Sequence, residues 1–171
     1  MANELLPVGV RRDGSYYTRL EWASHSEAEP LFWAANVIDD DTERSGGTWA
    51  NHTMGPADCI LSFFGEEQVI SKVRYFINVG LPISQMEEAV SQIRLYVSTT
   101  DEPRNLKSLE DKIDSVPWTL VADFNTEMEM KWQEYVLPEP AKAKYVRIEL
   151  VKNFGPKPEN GWTELSEIKF Y

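Results

Sequence analysis

Apolar residues alternate with polar ones along most of the chain, and this period of two constrains the fold more than any other feature. In residues 92–98 the apolar positions are Ile93, Leu95 and Val97. Successive side chains of a strand point to opposite faces, so this alternation predicts half-buried strands. Further segments of the same character are residues 15–23, 57–64, 69–78, 117–124, 131–137, 144–151 and 163–171. The pattern predicts an all-β protein with about eight strands, the number in a jelly-roll β-sandwich.

Length and charge limit the organisation and the partners. The 171 residues contain no internal repeat or linker, so we expect one domain over residues 1–171. The net charge of −11 opposes binding to the phosphate backbone of nucleic acids. The apolar runs are too short to insert into a membrane. Cys59 is the single cysteine, which excludes an internal disulfide, and its apolar context predicts a core position.

An acidic turn, Asp39-Asp40-Asp41, follows Asn36. Three adjacent carboxylates repel one another, and a calcium ion would relieve the repulsion, because calcium takes its oxygen ligands from irregular loops. The alternative is an exposed acidic turn without a metal. The spacing is not that of an EF-hand.

Aromatic residues and one histidine lie in or beside the predicted loops. Trp49 is expected to pack in the core, as tryptophans beside strands usually do. His52 is either solvated or a hydrogen-bonding partner of a ligand. Phe154 and Trp162 lie in or beside a loop rich in proline and glycine, which is a plausible ligand platform, although Trp162 could instead close the end of the sandwich.

Catalytic patterns are weak. Ser24 and His25 are adjacent, but neighbours on an extended chain point to opposite faces. Neither G-x-S-x-G nor H-E-x-x-H occurs, and no carboxylate has a context that predicts acid–base chemistry. We therefore expect a protein that is not an enzyme.

Short motifs follow one another in a fixed order along the chain. They are Trp22-Ala23-Ser24, Ala34-Ala35-Asn36-Val37-Ile38-Asp39, Thr48-Trp49, Ile70-Ser71-Lys72-Val73, Ile93-Arg94-Leu95-Tyr96-Val97-Ser98, Trp118-Thr119-Leu120-Val121, Ala143-Lys144-Tyr145-Val146-Arg147-Ile148 and Leu165-Ser166-Glu167-Ile168. This series resembles the discoidin family, also known as the coagulation factor 5/8 type C family, whose opening usually reads as an Ala-Ser strand, then A-x-N-x-I-D-G-D, then T-x-W. Each motif alone is weak, but together they cover nearly all of the chain from about Trp22 to Tyr171.

The resemblance implies an eight-stranded jelly roll of the galactose-binding-domain type and non-catalytic binding of glycans. In bacteria many such domains are modules of secreted glycosidases, so the implied location is extracellular and the implied partner is a glycan or cell-surface carbohydrate. It also implies a structural calcium ion. The implied calcium ligands are the Asn36 carbonyl, the Asp39 carboxylate, Asp41 and the Glu167 carboxylate.

Two departures from the family pattern affect the site. Asp40 stands where the family has glycine. Asn78 stands at or near the position where galactose-binding members often have an arginine. Galactose specificity is therefore not implied. We predict a glycan site on loops at one end of the sandwich, formed by His52, Asn78, Phe154 and Trp162.

A second function remains open for the same fold, that of an intracellular domain with a protein partner. The N-terminal segment lacks the apolar core of a signal peptide, and Cys59 has no cysteine to pair with, which favours this alternative.

Overall fold

The computed structural model describes residues 9–24, 33–42, 49–51, 56–77, 87–155 and 163–171. This described part is mostly β-structure, and its helices are short. The strands of this described part are β1 (Arg19–Ala23), β2 (Trp49–Asn51), β3 (Ala57–Ser62), β4 (Gln68–Phe76), β5 (Val90–Ser98), β6 (Thr119–Asn125), β7 (Trp132–Ala143), β8 (Tyr145–Asn153), β9 (Thr163–Leu165) and β10 (Glu167–Phe170). The helices are a 3₁₀ helix (Ala34–Ile38), α1 (Glu102–Asn105) and α2 (Leu109–Asp114).

The strands form a β-sandwich in which all paired strands are antiparallel. One sheet has the order β1-β3-β8-β5-β6, a second has the order β10-β4-β7, and β2 pairs with β9. A single cluster of buried apolar side chains joins the two larger sheets. The fold class predicted from the sequence, an all-β sandwich, is confirmed.

The core follows the alternation in the sequence. Ile93, Leu95 and Val97 on β5 are all buried, as are Val146 and Ile148 on the neighbouring β8. Trp49 and Cys59 are completely buried, as expected. Burial raises the pKa of the Cys59 thiol well above its ordinary value, which keeps the thiol neutral and unreactive.

Three elements differ from the sequence prediction. The C-terminal segment 163–171 forms two strands, β9 and β10, because Ser166 lies outside both pairings and each strand has a different partner. The short strand β2 adds another, so the described part has ten strands where eight were expected. The polar sequence of residues 104–112 predicts one short helix, but the structure has two, because Pro103 begins α1 and the Ser108 side chain caps α2.

The sandwich has two ends, which we call the loop pole and the turn pole. At the loop pole β4 ends at Phe76, β8 ends at Asn153, and the β6–β7 hairpin links the two sheets. At the turn pole β3 ends at Ser62, β5 ends at Ser98, and Lys144 links β7 to β8. The acidic turn lies at the loop pole, since Glu167, beside Asp39, pairs with Phe76.

Candidate ligand and metal sites

Glu167 is a charged residue in an environment that does not solvate it. It is the first residue of β10 and is completely buried. Neither of its carboxylate oxygens has a hydrogen-bond donor in the part of the chain that the structure describes, apart from the neighbouring Asp39 carboxyl group when one of the two is protonated. A buried carboxylate without a donor is unfavourable unless it is protonated or meets a cation.

The carboxyl group of Asp39 lies beside that of Glu167. Burial raises the pKa of Glu167 to about 9, and the negative charges of Asp39 and Asp40 contribute to the rise. Partial burial also raises the pKa of Asp39; the hydrogen bond that the Asp41 backbone N–H donates to its Oδ1, at 2.9 Å, opposes this. The structure therefore brings together two carboxyl groups that are 128 positions apart in the sequence, 167 minus 39.

Asn36 and Asp41 flank this pair. Asn36 lies in the 3₁₀ helix, where its backbone N–H donates to the Trp33 carbonyl at 3.0 Å. Asp41 is close enough for its charge to raise the pKa of Asp39. The four sequence-predicted calcium ligands thus lie in the 3₁₀ helix, on the acidic turn and at the start of β10.

Asp40 differs from its two acidic neighbours because its carboxylate meets cations. It forms an ion pair with Arg11 and a second one with Lys169, at 3.0 Å, and Lys169 also contacts Asp13 at 2.9 Å. The backbone of Asp40 is left-handed, with φ of 65°, a conformation that suits glycine. Asp40 therefore adopts a glycine-like backbone conformation, and its side chain anchors the acidic turn through the two ion pairs.

Sequence reasoning missed Arg11 and Lys169. Arg11 lies in a segment before the first motif, and Lys169 falls inside an alternating strand where an exposed lysine is unremarkable. Only the pairing of β10 with β4 and the position of the acidic loop bring these cations to Asp40.

A calcium ion fits this donor set only with help from backbone oxygens. In the described ranges, no group of three or more histidine, cysteine, aspartate or glutamate side chains is arranged to hold a metal. The orphaned Glu167 carboxylate and the adjacent Asp39 supply two anionic groups, and calcium completes its shell with carbonyl oxygens.

Of the predicted glycan-contacting residues, the structure describes Phe154; His52, Asn78 and Trp162 lie outside the described residues. Phe154 is half-buried and packs against the core, and its backbone N–H donates to the Glu87 carbonyl at 3.0 Å. Its ring is therefore only partly available to a ligand.

The described residues beside the other three positions all belong to the loop pole. Asn51 on β2 and Thr163 on β9 are register partners. Ile77 directly follows the end of β4 and is buried in the core. The β6–β7 hairpin at the same pole borders a polar cavity of about 300 Å³, whose lining includes Glu127, Lys131 and Trp132.

No protein-family model matches the sequence, and no curated protein sequence matches it. Solved structures do match. One is a family 32 carbohydrate-binding module from Clostridium perfringens in complex with GalNAc-β-1,3-galactose, with a TM-score of 0.65 at 15% identity over 90% of this chain and 94% of that chain. The chain has the discoidin-like, galactose-binding-domain fold.

Two other matches extend the comparison. A family 32 module from a family 31 glycoside hydrolase of Clostridium perfringens has a TM-score of 0.66 at 16% identity, covering 90% of each chain. A chitosan-binding module from a chitosanase/glucanase of Paenibacillus sp. IK-5 has a TM-score of 0.59 at 19% identity, covering 87% of this chain and 90% of that chain. The discoidin-like fold predicted from the motifs is therefore confirmed.

The described helices are short, and none is long and apolar enough to cross a lipid bilayer.

Proposed function

We propose that this protein is a non-catalytic, extracellular carbohydrate-binding module that recognises glycans with the loops of the loop pole. The observation that carries the proposal is the match to carbohydrate-binding modules over about nine-tenths of both chains. The similar proteins are described as binding GalNAc-β-1,3-galactose in one case and chitosan in another. The fold alone supports many functions, so the proposal also depends on the residues of the loop pole.

His52, Asn78, Phe154 and Trp162 are the residues that we propose to contact the glycan. Sugars bind by stacking an apolar face on an aromatic ring while polar side chains bond the hydroxyls. Trp162 supplies the ring, His52 and Asn78 supply polar groups, and Phe154 supports the loop from a half-buried position. The pairing of Asn51 with Thr163 supports this grouping, because these residues directly precede His52 and directly follow Trp162.

The proposed ligand is a glycan without acidic groups. The net charge of −11 repels anionic sugars. Asn78, at or near the place of an arginine in galactose-binding members, is a neutral partner for hydroxyl or amide groups and cannot form an ion pair with a carboxylate.

Binding of the full chain to a glycan array, followed by titration calorimetry with the best ligand, tests the proposal. Trp162→Ala should weaken binding by about tenfold or more, which corresponds to about 1.4 kcal/mol, without lowering the melting temperature. Val136→Thr is the matched control, because Val136 is 63% exposed on β7 and its replacement keeps the shape. A sharp fall in the melting temperature of Trp162→Ala would instead identify Trp162 as a core residue.

An array without binding, together with a specific protein captured by the same surface, would favour the alternative of a protein-interaction domain. In that case Trp162→Ala should weaken binding to the captured protein, and neither the wild type nor the variant should bind a glycan.

We also propose a structural calcium ion held by the Asn36 carbonyl, Asp39, Asp41 and Glu167. The buried, unpartnered carboxylate of Glu167 supports this proposal, because a divalent cation would compensate its charge. Calcium would tie the acidic loop to β10 by neutralising the repulsion between Asp39 and Glu167. Asp40, already paired with Arg11 and Lys169, is left out of the proposed ligand set.

Thermal unfolding with EDTA or calcium tests the ion. A ligand that binds only the native state at a hundredfold excess over Kd stabilises it by about 2.7 kcal/mol. Calcium should therefore raise the melting temperature by several degrees, and magnesium should substitute poorly because it requires tighter octahedral geometry. Glu167→Gln should abolish the response.

Glu164→Gln is the control for the calcium experiment. Glu164 is also a completely buried glutamate, on β9, but it is not proposed as a ligand. This variant should keep the calcium response whatever its own stability. Identical melting curves of the wild type in EDTA and in millimolar calcium would contradict the calcium proposal and leave the glycan proposal untouched.

A further inference from the structure

The turn between β3 and β4 holds an aromatic residue in an unfavourable backbone conformation. Phe64 and Gly65 both have positive φ, of 55° and 84°, and the Glu66 backbone N–H donates to the Phe63 carbonyl at 3.2 Å. Two successive left-handed residues are the pattern of a type I′ turn, in which Asn-Gly or Gly-Gly is preferred. A bulky residue in the first of these positions is a true conformational outlier.

Packing does not compensate this strain. The Phe64 side chain is 61% exposed, while its neighbour Phe63 is buried and makes edge contacts with Tyr16 and Phe170 in the core. Phe63 is therefore the residue that anchors the turn to the hydrophobic core. Phe64 combines backbone strain with an exposed ring, and strained residues that the fold does not need concentrate at functional sites.

Charged groups lie on the same turn as the exposed ring. The Arg104 guanidinium lies beside the turn, since a Cβ added to Gly65 would be 3.5 Å from Arg104 Nη2. Glu66 and Glu67 are exposed, and Glu67 lies 3.8 Å from the Lys142 ammonium. An exposed aromatic ring can stack on one sugar ring while polar groups of the same turn bond its hydroxyls.

A groove of about 360 Å³ lies at the same pole, between the edge strands β6 and β7. Residues 137–140 of β7 bulge out of register with β4 between Ile70 and Lys72, directly before the groove residues Ala141 and Lys142. Its lining combines hydroxyl groups with apolar side chains, including Ser98, Thr100, Thr119 and Val121. Its volume is in the range of small-molecule sites.

Backbone hydrogen bonds connect the groove to the turn. The Phe63 N–H donates to the Lys144 carbonyl at 3.3 Å, and the Lys144 N–H donates to the Ser98 carbonyl at 2.9 Å. Lys142, which lines the groove, also approaches Glu67 of the turn. These contacts place the turn that carries Phe64 next to the groove.

We propose that the turn pole carries a second carbohydrate site, opposite the loops, in which Phe64 stacks on a pyranose and the groove receives an adjoining sugar unit. The ligand is a neutral or amino sugar, because the net charge of −11 disfavours a uronic or sialic acid. A single aromatic among charged residues is too small for a stable protein interface, which favours a sugar as the occupant. The site is independent of the loop pole and shares with it only the class of ligand.

Amide chemical shifts of the full chain, titrated with D-galactose, N-acetylgalactosamine, a glucosamine trimer and galacturonic acid, test the second site. At least one of the first three sugars should shift the amides of residues 63–66, and galacturonic acid should not. These shifts should persist in Trp162→Ala, which removes the proposed platform at the other pole. If Trp162→Ala removes only the chemical-shift changes at the loop pole, the result supports a separate second site.

Phe64→Asn is the decisive variant because asparagine is favoured in the left-handed turn. Its melting temperature should equal or exceed that of the wild type, while the turn-pole affinity falls about tenfold or more. Phe64→Trp should retain binding. Leu120→Asn, an exposed apolar residue on β6, is the control and should leave these shifts unchanged.

Three results would overturn the second site. They are unshifted amides at residues 63–66 with all four sugars, shifts that survive in Phe64→Asn, and a response confined to galacturonic acid.

Discussion

At the scale of single residues, Asp40 affects stability in two ways, through its backbone conformation and through the ion pairs of its side chain. Its φ of 65° favours glycine, and its carboxylate pairs with Arg11 and Lys169. Asp40→Gly and Asp40→Ala both remove the ion pairs, but alanine must also adopt the left-handed conformation. We expect Asp40→Ala to be less stable than Asp40→Gly by about 1 kcal/mol in urea unfolding. Equal stability of the two variants would show that the loop relaxes to an ordinary conformation.

The residue scale also shows where sequence reasoning reaches its limit. Alternation placed Ile93 and Ile148 in the core because it reflects local geometry. Lys112 was not predictable: it is completely buried, with its ammonium 3.7 Å from the centre of the Trp22 ring. Burial lowers the pKa of Lys112. A lysine in a short polar helix gives no signal that a distant tryptophan covers it.

At the scale of elements, one side chain organises the β6–β7 hairpin. The Gln133 amide accepts from the Glu127 backbone N–H at 2.7 Å through Oε1 and donates to the Glu127 carbonyl at 2.7 Å through Nε2. Gln133 is buried, and its Oε1 also accepts from the Tyr75 hydroxyl at 3.2 Å. Gln133→Leu leaves these groups without partners and should destabilise the fold by about 1–3 kcal/mol.

Urea unfolding measures this effect, with Gln92→Leu as the control. Gln92 makes an exposed bond to Asp123 at 2.7 Å, and its replacement should change stability by less than about 0.5 kcal/mol. Equal effects of the two substitutions would show that the hairpin does not depend on the buried amide.

Element boundaries were predictable where a strand stays with one partner. The alternation of residues 92–98 and 144–151 matches β5 and β8 closely. The 163–171 segment has the same alternation but changes partner at Ser166, from β2 to β4. A local pattern carries no information about partners, so the division into β9 and β10 depended on long-range topology. The proximity of Asp39 to Glu167 was also not predictable from a local pattern. It was implied only by the family resemblance.

At the scale of the whole molecule, the acidic site links stability to pH. The pKa of Glu167 is about 9 in the folded protein, against 4.5 for an ordinary glutamate. Between these values the folded state holds a proton that the unfolded state has released. Stability therefore decreases as pH rises through this window, by up to about 1.4 kcal/mol per pH unit for one proton. Calcium would replace that proton, so the proposed ion should bind more tightly at higher pH.

Melting curves of the wild type and Glu167→Gln between pH 5.5 and 8.5 separate this effect from all other titrations. In EDTA the wild type should lose stability relative to Glu167→Gln as pH rises, because glutamine stays neutral throughout. In millimolar calcium the wild type should recover most of that loss at the alkaline end. A stability difference between the two proteins that stays constant with pH in EDTA would mean that Glu167 is ionised across the range and already paired with a cation of the chain. Lys169 and Arg11, whose charges oppose the rise in the pKa of Glu167, are the nearest such groups in the part of the chain that the structure describes.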